Sequence, residues 1–136
     1  MAIDPGRVRV GVAVSDESQT IAQPHATLSR RTDDSLVRAV AELARDQEVV
    51  QLVVGLPLRL DGSEGQEAEE ARRLGALFAA GTGLPVRFAD ERLTSRQAER
   101  EMIRQGTSRR RRREVGDRVA AALLLQGVLA GARTQA

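Results

Sequence analysis

The sequence predicts an α/β fold on a mixed β-sheet, with an antiparallel three-strand meander followed by parallel strands. Three observations predict it. Val8, Val10, Val12 and Val14 alternate with Arg9, Gly11 and Ala13, the period of a half-buried strand. They follow a Pro5-Gly6-Arg7 turn that pairs them with the short apolar run ending at Asp4. Residues 49–55 (VVQLVVG) form a nearly continuous apolar run of the kind found in a central strand covered on both faces. From there on, strand-like segments alternate with segments of helical period, the pattern of βαβ crossovers that add parallel strands.

Each element has a local reason. Pro5 fixes φ and removes a donor, and Gly6 suits a turn position of positive φ. Only three residues precede Asp4, so the first strand is expected to be short. Residues 20–28 (TIAQPHATL) read as a third strand, with Pro24 marking a bulge or a sheet edge. Thr32 or Asp33 is placed to cap a helix with Leu36, Val37, Val40, Leu43 and Ala44 on one stripe. After the central strand comes a loop over residues 58–62. Ser63 is then read as the cap of a second helix, whose inner stripe is Ala68, Ala71, Leu74, Gly75 and Phe78 and whose stop is Gly81-Thr82-Gly83. Residues 85–89 are a fifth strand. A third helix, capped by Thr94 or Ser95, is expected to reach Gln105, and a last helix covers residues 114–130. The loop at 58–63 fits two readings, a mobile flap beside a site or an ordinary connection.

Composition removes whole classes of chemistry. Cysteine is absent, which excludes disulfides and thiolate sites. The lone histidine, His25, provides neither a zinc cluster nor a His-based triad and reads as a strand or loop residue. With 136 residues, 41% of them hydrophobic, residues 1–136 are read as one domain with its own core. The longest apolar stretch, residues 119–125, is too short to span a membrane. No signal segment opens the chain, so a cytoplasmic location and no membrane partner are expected. All 21 basic residues are arginine and the net charge is only +2, yet Arg109, Arg110, Arg111, Arg112 and Arg113 are consecutive. Local charge therefore carries more information than the total.

Functional groups in such a sheet gather at the carboxyl ends of its parallel strands. Asp4 and Glu91 fall at such ends, and alternation aims Glu91 and its neighbour Asp90 in opposite directions. Asp117 leads the stripe Ala120, Ala121 and Leu124 of the last helix, where a carboxylate is costly unless neutral, paired or bound to a cation. Each has a plainer reading: an Asx-type turn for Asp4, a favourable helix-dipole position for Asp117. Together, three carboxylates without His or Cys describe an all-oxygen site for Mg²⁺ or Mn²⁺. The arginine run opposes the helix macrodipole at its expected position, a broken local rule of the kind that marks function, although a solvated basic loop is the plain alternative. Arginine forks suit nucleic-acid phosphate. Without Trp or Tyr to stack on bases, recognition is expected to follow backbone shape.

Five stretches in order resemble the YqgF/RuvX family of Holliday junction resolvase or pre-16S rRNA nuclease proteins. They are Asp4-Pro5-Gly6 with residues 9–16, Val54-Gly55-Leu56-Pro57 with Asp61-Gly62 and Gly65, and Asp90-Glu91-Arg92-Leu93-Thr94. Ser108-Arg109 follows, and then Asp117 with Ala120-Ala121 and Leu125-Gln126. The resemblance spans essentially the whole chain. It implies an RNase H-like fold, a five-stranded mixed sheet with helices on both faces, and Asp4, Glu91 and Asp117 as metal-binding catalytic carboxylates.

The function expected is a metal-dependent endonuclease acting on branched DNA, on precursor rRNA, or on both. Arg9, Arg92 and the arginines at 109–113 would hold phosphates, and Thr94 and Ser95 would make minor contacts if they are not helix caps. The alternative is a non-catalytic nucleic-acid-binding module of the same fold, acting in ribosome maturation or transcription. A nucleotide-binding kinase or actin-like reading also begins with an Asp-x-Gly hairpin, but needs a second domain that 136 residues cannot supply. A monomer or homodimer is expected.

Overall fold

The computed structural model of the chain describes residues 1–91 and 109–135, with side chains at 1–91 and 116–131. Strands β1 (Ala2–Pro5), β2 (Arg9–Ser15) and β3 (Ala22–Ser29) come first. Helix α1 (Asp33–Asp46), β4 (Leu52–Leu56), α2 (Gln66–Thr82), β5 (Val86–Asp90) and helix α3 (Arg109–Gln135) follow. The sheet runs β3-β2-β1-β4-β5. The meander is antiparallel, and β4 and β5 lie parallel to β1 and to each other, as the sequence pattern predicts. The short β1 is therefore central, paired on both sides.

Alternation along the strands builds two cores. Ile3, Val10, Val12, Leu52 and Val54 point to one face and pack with Leu36, Val40, Leu74 and Phe78 of α1 and α2. Ala2, Ala13 and Val53 point to the other and pack with Ala121, Leu124, Leu125 and Leu129 of α3. Helices thus cover both faces. The small residues on the α3 side let that helix lie close to the sheet. Among the described residues no helix is long and apolar enough to cross a membrane.

Local signals mostly act as their chemistry requires. Thr32 caps α1 in a reciprocal capping box with Ser35. Gly83 ends α2 in the left-handed region, φ 72°. Pro24 lies on the edge strand β3 beside a bulge, where Val12 pairs with Ala26 and Ala13 with Pro24, leaving His25 as the extra residue. Asp16 holds the β2–β3 turn by accepting from the Thr20 and Ile21 amides at 2.7 and 3.0 Å. Gln126 of α3 clasps the start of β3, accepting from the Ala22 amide and donating to the Thr20 carbonyl, both at 2.9 Å.

Several expectations are corrected. Ser63 does not cap α2: Gly65 occupies the N-cap, while Ser63 closes a turn by donating to Asp61 Oδ1 at 2.6 Å. The 58–63 segment is a hydrogen-bonded turn, with Arg59 N donating to Ser63 O at 2.9 Å and Leu58 bridged to Glu64. The central strand begins at Leu52, later than the apolar run, and Val50 is exposed. The last helix starts at Arg109 rather than Glu114, because arginine is a good helix former and the run extends the helix backwards. The helix expected from Thr94 or Ser95 to Gln105 lies outside the described residues, as does Arg92.

Candidate active site

The site grows from one row across the sheet. In β1 and β2, Asp4 pairs with Gly11, and because Ile3 pairs with Val54, Gly55 of β4 lies on the other side of Asp4. Gly55 pairs in turn with Ala89 of β5. The row Gly11–Asp4–Gly55–Ala89 therefore presents one carboxylate flanked by two residues without side chains. Both clearings are used. A β-carbon at Gly11 would strike the backbone carbonyl of Asp117, so α3 sits directly on β2 there. A β-carbon at Gly55 would strike Oε2 of Glu91, so the Glu91 carboxylate lies over that glycine. A backbone hydrogen bond from Glu91 N to Leu56 O, 3.3 Å, carries the β4–β5 pairing one step past β5 and fixes this direction.

The structure thus brings Asp4, Glu91 and Asp117 to one edge of the sheet from three elements, all on its α3 side, while the neighbouring Asp90 is exposed. It divides them two and one. Asp4 and Glu91 are half-buried and hydrogen-bonded to each other. Asp117 accepts from Arg9 Nε at 2.8 Å, each side chain about one-third exposed (33% and 30%). Among the described residues no three acidic side chains stand ready as a cation-holding group. Arg9, expected to hold phosphate, is ion-paired with Asp117 here.

Electrostatics explains the division. Burial pushes the Glu91 carboxyl up to about 10, and the hydrogen bond and charge of Asp4 push the same way. Burial also raises the Asp4 carboxyl, with the charge of Asp117 adding to it. Like charges at close range cannot all ionise without compensation. The pair meets this by keeping a proton, and Asp117 by taking a guanidinium. Beside Glu91, at the carboxyl edge, opens a cavity of about 300 Å³ whose walls include Pro5, Gly6, Arg7, Pro57 and Gln66.

The family described as "RuvX: Holliday junction resolvase" matches residues 1–131. The chain belongs to this family. It is 46% identical over 129 residues to an Anaeromyxobacter sp. (strain K) protein named "Putative pre-16S rRNA nuclease", covering 95% of this chain and 94% of that one. A protein of the same name from Moorella thermoacetica is 45% identical, over 95% of this chain and 92% of the other. Among solved structures, RuvC of T. thermophilus in complex with Holliday junction substrate superposes with a TM-score of 0.58 at 17% identity, covering 96% and 92% of the two chains. The fold is RNase H-like.

Within this RuvX-family chain, sequence reasoning missed Gly11 and Gly55 as builders of the site. The signal was present: an isolated glycine inside a strand pattern marks a close backbone approach. It also missed the Asp4–Glu91 pair, whose members are far apart in sequence.

A pH dependence follows from that pair. A carboxyl raised in the folded state keeps a proton that the unfolded chain has shed, so its stabilisation is full below the ordinary glutamate value of 4.5 and is lost as pH rises toward about 10. The buried N-terminal amine, lowered to about 6, tilts stability the other way between about 6 and 8. Comparison with Glu91→Gln isolates the carboxyl. Urea midpoints of the metal-free protein between pH 5 and 9 should fall more steeply in the wild type than in Glu91→Gln. Parallel curves would remove the shared proton.

Proposed function

We propose that the chain is a metal-dependent endonuclease that hydrolyses phosphodiester bonds in structured nucleic acid, as a single cytoplasmic domain over residues 1–136, monomer or homodimer. The observation that carries this reading is the meeting of Asp4, Glu91 and Asp117 over a floor of glycine at the carboxyl edge of the sheet. The donor set fits a hard divalent cation such as Mg²⁺ or Mn²⁺: every ligand is a carboxylate oxygen. The proton kept by Asp4 and Glu91 and the guanidinium on Asp117 supply the positive charge that a cation would otherwise bring. Asp4, in the middle of the row, would hold the metal together with Glu91 and Asp117. When bound, the ions supply Lewis acidity toward the phosphodiester and make water a better nucleophile.

The chain's own residues do the rest. As metal ligands, Asp4 and Glu91 would both be carboxylates, their shared proton passing to solvent water. Asp117 would then release Arg9, which it now holds at 2.8 Å, and that guanidinium would be free for a substrate phosphate. Arg92 and the arginines at 109–113 are assigned to phosphates along the backbone, positioning the strand without reading its sequence. The relatives' names favour precursor rRNA and the family description favours branched DNA, so both belong in the test.

The experiment is a cleavage assay on a four-way DNA junction and on a precursor of 16S rRNA, with Mn²⁺ or Mg²⁺ and with excess EDTA. Cutting of one or both substrates that stops in EDTA is expected. Cutting that persists in EDTA would overturn the metal mechanism. Tight binding without cutting under every metal condition would instead favour a non-catalytic module.

A further inference from the structure

We infer that Arg30 is a positioning residue for the carboxylate site, acting through the turn that joins Asp4 to Arg9. The inference rests on the reading of that site given above. Asp4 and Arg9 bracket a tight turn closed by Gly6 N donating to Arg9 O at 2.9 Å. Both ends of the turn matter: Asp4 is the central carboxylate, and Arg9 holds Asp117. Arg30 grips the turn twice from the end of β3. Its Nη1 donates to the Gly6 carbonyl at 3.0 Å, and its backbone N donates to the Val8 carbonyl at 2.9 Å.

The guanidinium is itself held. Nη2 donates to Glu70 Oε1 at 2.8 Å, and the Arg30 side chain is only 20% exposed. Glu70 also takes Arg73 Nε and Nη2 at 2.9 and 2.6 Å, and Arg73 Nη1 reaches Asp33 Oδ2 at 2.8 Å. A chain of charge-assisted bonds thus runs from Asp33 on α1, through Arg73 and Glu70 on α2, to Arg30 and the Gly6 carbonyl. The two arginines hold the Glu70 carboxyl down at about 2, so the anchor stays ionised across the working range. Isolated surface ion pairs contribute little, but a network with bidentate geometry fixes positions. Lysine cannot reproduce the fork, since one ammonium is a point donor where Arg30 divides two arms between a carbonyl and a carboxylate.

The test compares Arg30→Met, Arg30→Lys and Glu70→Gln with the control Arg72→Met, which removes the Arg72–Glu64 pair and the guanidinium 5.0 Å over the Phe88 ring and leaves the Gly6 turn untouched. Calorimetry with Mn²⁺, steady-state cleavage, melting and amide exchange at Gly6 are measured on each. In Arg30→Met, Mn²⁺ affinity should weaken roughly tenfold, the scale of losing a group that orients a metal ligand. kcat should fall with KM nearly unchanged, and Gly6 exchange should accelerate. Arg30→Lys should recover part of each, and the control should move melting at most. A folded Arg30→Met with wild-type Mn²⁺ affinity and Gly6 exchange would overturn the inference. If the wild type neither binds Mn²⁺ nor cuts, the metal reading fails, and Gly6 exchange alone decides the clamp: faster in Arg30→Met upholds it, unchanged rejects it.

Discussion

Asp4→Asn should reduce cleavage by more than about 100-fold while leaving nucleic-acid affinity unchanged. Loss of a group that merely supports a metal ligand costs about 10–100-fold in affinity or activity, and Asp4 is assigned to the ligands themselves. The substitution is isosteric, so it needs no new room in a row whose clearings at Gly11 and Gly55 are already filled by Asp117 and Glu91. An asparagine there can still hydrogen-bond Glu91, and the protein loses a half-buried carboxyl whose ionised form is disfavoured, so folding should not suffer. Single-turnover cleavage and gel-shift titrations on one protein preparation separate the two effects. Equal loss of binding and cutting would mean that Asp4 holds the substrate or the fold. Full cutting by the variant would remove Asp4 from the chemistry.

Much of this site is legible in the sequence, and the limit has a physical cause. Strand alternation and strand ends suffice to put Asp4 and Glu91 on one face of one edge, and a helical stripe suffices to aim Asp117 at the sheet. Periodicity reports which face a side chain takes. It does not report which partner it finds. Arg9 and Asp117 are 108 positions apart, so their 2.8 Å contact depends on how α3 lies across β2, which Gly11 permits. The proton between Asp4 and Glu91 has the same origin, since it exists only once two distant carboxyls share a buried space. Ser63 shows the opposite failure. Its residue type suits a helix cap, but the Leu58–Glu64 bridge draws it into a turn, and tertiary pairing outweighs local preference. Arg30 carries no sequence mark at all that separates it from Arg31; only its bond to Gly6 does.

Replacing the five arginines at 109–113 together should flatten the dependence of log K on log salt by roughly 2–3 units. If all five met duplex phosphates, the change would be about 4–5 units, at about 0.9 per contact. The structure lowers that figure, because the run forms the first turn and more of α3 instead of a free loop. Consecutive helical positions turn by about 100° each, so one backbone track faces two or three of them. The spacing suits such a track. Arg109 lies eight positions before Asp117, about 12 Å along the helix axis at 1.5 Å per residue. Measured along the axis of a duplex, at about 3.4 Å per step, that rise corresponds to phosphates three or four steps apart on one strand. The run would therefore hold backbone flanking the cut and not the reacting phosphate, and the single-turnover rate on saturated substrate should change little. Glutamine is the replacement of choice, since it keeps helix propensity while removing charge. Melting should hold or rise in that variant, because five cations at a helix N-terminus oppose its dipole. Binding titrations at several salt concentrations decide the matter. An unchanged slope would mean that the run is solvated and that Arg92, or Arg9 once released from Asp117, carries the phosphates.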